Sequence, residues 1–154
     1  MMLERPMESP MNVHAILRNK GDSVVTIHPD ATIDRAVSVL RRRGIGALVV
    51  SDDGESVVGI LSERDIVDAL ARFGGDLLSV SVSEVMSSPV VTCEPGDSVA
   101  ELMAEMTNRR IRHFPVLDDG RLVGIVSIGD LVKSRLDEIE YEAHSLRSFI
   151  AGAA

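Results

Sequence analysis

Apolar residues fall at helical spacing twice along this chain. Ile33, Ala36, Val37 and Leu40 stand at i, i+3, i+4 and i+7, and Val99, Leu102, Met103 and Met106 repeat the pattern. The first set predicts a helix from about Thr32 to Arg43, and the second is opened by a capping box, Ser98-x-x-Glu101. Around the first helix the period changes to short apolar runs. Ser23–Ile27 reads as a strand stopped by Pro29, and Ala47-Leu48-Val49-Val50 as a short buried strand. Asp52-Asp53-Gly54 is expected to make a hairpin turn, with Val57–Leu61 returning. Ser62 then opens a last helix to about Phe73, ended by Gly74-Gly75. The predicted order is β-α-β-β-α.

That order is spelled twice. Thr26 and Thr92, each closing a Val-Val-Thr strand, lie 66 residues apart, as do Pro29 and Pro95, Thr32 and Ser98, Ile45 and Ile111, and Asp53-Gly54 and Asp119-Gly120. After Gly120 the offset falls to 65 for Gly59/Gly124, Ser62/Ser127 and Asp65/Asp130. Upstream, Val13-x-x-Ile16-Leu17 resembles Val82-x-x-Val85-Met86 at an offset of 69. So many matches in one order mark an internal duplication. A single copy of this size is marginal as an independent domain. Two copies that bury their sheets face to face solve that problem, and they leave equivalent clefts of a kind that often holds ligands. The expected organisation is a tail over 1–11, repeats over 12–75 and 76–133, and a helical extension over 134–154.

The extension has its own pattern. Val132, Leu136, Ile139, Ala143, Leu146 and Ile150 are spaced 4, 3, 4, 3, 4, an a/d seam flanked by Asp137, Glu138, Glu140, Glu142 and Arg147. A helix of this kind packs on its own domain or pairs with a second copy, and spacing leaves both open.

Composition narrows the function. The chain has 154 residues, enough for one ordinary domain, and a net charge of −8. That charge opposes a general role on nucleic acid or anionic membranes. One Tyr, three Phe and no Trp leave little to stack bases on. Arg41, Arg42 and Arg43 fit the negative end of a helix dipole; Arg109, Arg110 and Arg112 form a second cluster. The lone Cys93 excludes an internal disulfide or a multi-cysteine zinc site, and Glu94 beside it opposes a reactive thiolate. His14, His28, His113 and His144 lack metal-ligand spacing, and neither a P-loop nor G-x-G-x-x-G occurs. The segment MMLERPMESP has no apolar core and reads as no signal peptide, and no apolar run approaches the ~18 residues of a membrane span. The expectation is a cytoplasmic protein that is not an enzyme.

The chemistry concentrates in GILSERD (59–65) and GIVSIGD (124–130). Serine at a helix start with an acid three residues on is a capping box, a purely structural device. The same atoms can also bind. A helix N-terminus offers free N–H groups and positive partial charge to a phosphate. An aspartate one turn in can accept two hydrogen bonds from a vicinal diol and still cap, because a carboxylate has about four lone-pair sites. Diol and phosphate together describe a nucleotide. Gly59 and Gly124 leave room for a backbone or ligand to approach.

Residues 12–133 resemble a tandem pair of CBS (cystathionine β-synthase) domains, the Bateman module. The resemblance rests on VVTIxPxAT, IGALVVxDDG and VVGILSERDI in the first copy and VVTCxPxDS, IRHFPVLDDG and LVGIVSIGDL in the second. The module implied is an α/β (α+β) pair of pseudo-symmetric repeats with a C-terminal helix, like small stand-alone bacterial CBS-pair proteins. It implies a regulatory sensor of adenosine-containing ligands with no catalytic cofactor. AMP, ADP, ATP and NAD(H) are the candidates, with S-adenosylmethionine as a further one. On the family pattern, Asp65 and Asp130 hold ribose, and Ser62 and Ser127 contact ribose or α-phosphate. Val25, Val91, Ile45, Ala47 and Ile111 line the base pockets, beside Thr26, Thr92 and Gly46. Arg112, His113 and Arg64 face phosphate, and Gly129 replaces Arg64 in the second copy. The family also implies a homodimer that signals to an effector protein. The competing expectation is an interaction module that binds nothing small.

Overall fold

The computed structural model describes residues 12–21 and 24–153. The tail over 1–11 and Ser23 of the expected first strand lie outside the described residues. Contacts divide the chain into two compact units, one of residues 24–92 and 114–125, the other of residues 12–21, 93–113 and 126–153.

In the first of these units, β1 (Thr26–Ile27) pairs parallel with β2 (Ala47–Val50), and β2 pairs antiparallel with β3 (Gly59–Ser62). The register sets Ala47 opposite Ser62 and Val50 opposite Gly59. α2 (Ile33–Arg43) starts on Thr32, whose hydroxyl accepts from the Arg35 amide, and ends on Gly44 in the left-handed region. α3 (Glu63–Phe73) follows β3 without a break, and a 3-10 turn (Gly74–Ser79) and the short α4 (Val82–Val85) complete the connection. Ile33, Ala36, Leu48, Val50, Leu61, Ala69 and Val82 form the core. Val37, expected among them, is 38% exposed. Ile33, Ala36 and Leu40 lie in the core and Val39 packs against it, whereas Val37 faces a groove beside α3.

The expected tight turn at Asp52–Gly54 is instead an eight-residue loop, because β2 ends at Val50 and β3 starts at Gly59. Asp53 holds it: its Oδ1 accepts from the amides of Glu55 and Ser56 and from the hydroxyls of Ser51 and Ser56. Those hydrogen bonds lower its pKa to about 2. The second copy, one residue shorter, does make the tight turn. β4 (His113–Asp118) and β5 (Arg121–Ser127) are joined by Asp119 and Gly120 alone, both at positive φ, the signature of a type I′ hairpin. Val90–Thr92, expected as a strand, lies in none. Pro89 withholds a ladder donor before it, and the Glu94–Asp97 turn closes its other end.

The other unit holds α1 (Val13–Lys20), α5 (Val99–Arg109) and α6 (Ile128–Ala153). Ser98 caps α5 by accepting from the Glu101 amide, and α6 packs on α5 and α1. The lead-in segments, 13–20 and 82–87, are exchanged between repeats. α1 joins the second copy, with Val13 N–H donating to Asp97 O and His14 N–H to Pro95 O. α4 joins the first copy, with Val82 N–H donating to Ala31 O and Ser83 N–H to Pro29 O.

Candidate functional site

Each copy of Ser-x-x-Asp starts a helix directly from a strand. At Ser62 the capping box is complete: the Asp65 amide donates to Ser62 Oγ at 3.2 Å, and Asp65 Oδ2 accepts from the Ser62 amide at 2.9 Å. Ser127 and Asp130 repeat it at 3.1 and 2.9 Å. One more backbone bond recurs. Glu63 N–H donates to Gly46 O, and Ile128 N–H to Arg112 O. In each unit, therefore, the residue ahead of one strand is fastened to the helix that follows the next.

This brings the expected residues together in two groups. In one unit Gly46, Ala47, Ser62, Arg64 and Asp65 surround the start of α3, with Arg64 exposed and Ala47 buried. Val25 and Ile45 are partly buried against the core, and Thr26 pairs with Val49 one strand away. In the other unit Ile111, Arg112, His113, Ser127 and Asp130 surround the start of α6, with Arg112 exposed and Ile111 and His113 partly buried. Of the two remaining candidates, Val91 is partly buried and Thr92 exposed. Arg109 of the second arginine cluster is paired with Glu105, and Arg110 closes α5 at a φ of 56°.

Two participants escape sequence reasoning. Ser87 Oγ donates to Asp65 Oδ1 at 2.9 Å. Lys20 Nζ meets Asp130 Oδ2 at 2.8 Å. Each comes from the exchanged lead-in segment, so no spacing within a repeat points to it. Ser87 is placed by a two-way backbone bridge to Ile60 on β3, and Met86 and Ser87 occupy the space over Gly59. The glycine thus admits a close backbone approach, as expected, and the visitor is the chain itself. The Lys20 and Asp130 side chains remain 39% and 24% exposed, so their pairing contributes on the order of 1 kcal/mol or less. Burial raises the Asp130 pKa, but the Lys20 bond and charge and the Ser127 bonds outweigh it and hold the carboxyl below 3.8.

Beside the α3 start runs an open groove of about 540 Å³ lined by Val37, Leu40, Ile45, Gly46, Ile66 and Val67, among others. It shares Ile45 and Gly46 with the expected set, but its lining includes neither Ser62 nor Asp65. The Asp65 site is thus a polar helix start next to an apolar groove.

The buried Cys93 thiol is pushed up to about 12 by burial and by Asp97 and Glu94, as its acidic neighbour implied. Among the described residues no group of three or more His, Cys, Asp or Glu is placed to hold a metal ion, and no helix is long and apolar enough to cross a membrane.

Duplicated strand-to-helix starts of this kind match a known class. The CBS domain family model matches residues 19–72 and 82–137. The chain belongs to the CBS domain family and is a CBS pair, a regulatory ligand-binding module. A crystal structure of a CBS-domain containing protein from Agrobacterium tumefaciens is 43% identical with a TM-score of 0.80, covering 86% of this chain and 98% of that one. CBSX3, a mitochondrial CBS domain-containing protein of Arabidopsis thaliana, is 33% identical over 89% of this chain and 70% of its own length. The CBS pair of protein MJ0100, solved in complex with 5′-methylthioadenosine and S-adenosyl-L-methionine, is 29% identical with a TM-score of 0.70 over 80% of this chain and 95% of that one.

Proposed function

We propose that this CBS pair senses adenosyl ligands, with the Asp65 and Asp130 carboxylates each holding the ribose hydroxyls of AMP, ADP, ATP or NAD(H). The observation that carries this is the recurrence, at two helix starts, of a serine-capped aspartate with capacity beyond its cap. Asp65 uses Oδ2 for its own helix and offers Oδ1 to a hydroxyl, that of Ser87, which is the bond a ribose hydroxyl makes. At Asp130 the Lys20 ammonium and the Ser127 amide both donate to Oδ2. The adenosyl complex of protein MJ0100 supports the ligand class. Ser62 and Ser127 stand beside the ribose and α-phosphate. Val25, Thr26, Ile45, Gly46 and Ala47 flank the base of one ligand and Ile111 that of the other. Arg64, Arg112 and His113 answer the phosphates. The role is regulatory and not catalytic: the ligand favours one arrangement of the chain through differential contacts, and an effector protein reads it.

We further propose a homodimer through α6. Leu131 and Glu138 turn toward their own unit and are buried, whereas Leu136, Ile139, Leu146 and Ile150 of the a/d seam are 45–61% exposed. A helix with one face packed and a heptad seam uncovered fits a second helix of the same kind.

A thermal-shift screen with AMP, ADP, ATP, NAD(H) and S-adenosylmethionine tests the ligand reading. A ligand at 100 times its Kd stabilises by about 2.7 kcal/mol and raises the midpoint. A flat response to all five contradicts the sensor and favours a module that works through protein contacts alone.

A further inference from the structure

Among the described residues, Asp65 Oδ1 accepts one hydrogen bond, from Ser87 Oγ at 2.9 Å. Oδ2 is taken up by the cap, accepting from the amide and the hydroxyl of Ser62. We propose that Ser87 is a specificity-determining residue of the Asp65 site, its hydroxyl joining Oδ1 to clamp the vicinal diol of a ribose. One ribose hydroxyl donates to Oδ1, and its neighbour donates to Ser87 Oγ. This rests on the reading of Asp65 as a ribose holder given above.

Hydrogen-bonding capacity carries the inference. A carboxylate oxygen has about two lone-pair sites, and Ser87 fills one of those on Oδ1. A serine hydroxyl has one donor and two acceptor lone pairs. Ser87 gives its donor to Asp65, and among the described residues nothing donates to its oxygen. An exposed acceptor thus stands beside the second lone pair of Oδ1. The two oxygens lie one hydrogen bond apart, much as two hydroxyls on adjacent ring carbons do. Paired hydroxyls can therefore meet paired acceptors without breaking the bond already present. The serine is also held in place. Ser87 and Ile60 exchange N–H···O bonds at 2.9 and 3.1 Å, which fixes its backbone against β3 and leaves the side chain a single torsion to set. Ser62 Oγ is less open, since it accepts from the Asp65 amide, donates to Oδ2 and is partly buried. The clamp belongs to one copy only. At the lead-in offset of 69 the counterpart of Ser87 is Arg18, and the lead-in group on Asp130 is the Lys20 ammonium. An ammonium has donors and no acceptor, so no ribose hydroxyl can donate to it.

The test uses the full chain in an Asp130→Ala background, which leaves the Asp65 site alone to report. Calorimetric titrations with AMP, 2′-deoxy-AMP and 3′-deoxy-AMP are compared with and without Ser87→Ala, a change that keeps both backbone bonds to Ile60. With Ser87 present, AMP should be preferred over both analogues. The preference should be roughly tenfold or more over the analogue lacking the hydroxyl on the carboxylate, and about two- to tenfold over the one lacking the hydroxyl on Ser87. Ser87→Ala should abolish the smaller preference and retain the larger. Both preferences retained, both abolished or the larger alone abolished overturns the clamp; loss of both means that Ser87 only holds Asp65 in place. A chain with Ser87 present that fails to prefer AMP over both analogues overturns it as well. If the Asp130→Ala chain binds no AMP, Asp65 is not a ribose holder and the clamp falls with that reading. AMP binding whose preferences ignore residue 87 removes the serine alone.

Discussion

Asp65 and Asp130 do the same work for their helices in different company. Each closes a capping box, a task contributing roughly 1 kcal/mol per cap, and that much follows from four letters of sequence. What lies beyond the cap does not. Lys20 is 110 residues from Asp130, and its approach depends on α1 joining the second copy. It leaves a measurable trace. The Asp130 carboxyl is held below its ordinary 3.8, so the folded state gains stability from it above that value and loses it as pH falls through the lower folded value. Asp130→Asn should therefore cost stability near neutrality, by a margin that shrinks as pH drops below 3.8. Chemical denaturation across pH checks this; a margin constant with pH contradicts it. Gly59 makes a second residue-scale case. A Cβ there would lie 2.9 Å from Met86 Cγ and 3.2 Å from Ser87 O. The methionine can move aside, but Ser87 is fixed by its bridge to Ile60. Gly59→Ala should destabilise by about 1–3 kcal/mol, and a variant as stable as the parent would contradict the packing described.

At the scale of elements, local chemistry was legible where it acts locally. α2, α3 and α5 begin on the expected caps, Thr32, Ser62 and Ser98. β2 spans the expected Ala47–Val50. Departures occur where a distant or unusual contact decides. Asp53 gathers four donors and opens a loop where a turn was expected. Asp-Asp-Gly alone did not distinguish the copies, although the residue lost after Gly120 did signal that they differ. The heptad seam of α6 was visible in spacing, but only exposure tells which face is spare. If that face pairs two copies, sizing with light scattering at micromolar concentration should give twice 16.6 kDa, and Leu136→Glu with Ile139→Glu should return a monomer. A wild-type mass of 16.6 kDa contradicts the helix-mediated dimer.

Across the whole molecule, duplication is the organising fact. It shows in sequence as a run of offsets and in structure as recurring backbone bonds: Glu63 to Gly46 and Ile128 to Arg112, Val82 to Ala31 and Val13 to Asp97. Spacing could reveal the copies but not the exchange of their lead-ins, because nothing local states which copy a preceding helix will join. That exchange makes two like sites unlike. The central claim is that each copy contributes one adenosyl site centred on its aspartate. Isothermal titration calorimetry of the wild type, Asp65→Ala and Asp130→Ala with AMP tests it most directly. Two sites per chain in the wild type and one in each folded variant is the predicted result. Two sites retained in both variants, or no binding by the wild-type chain, would contradict it.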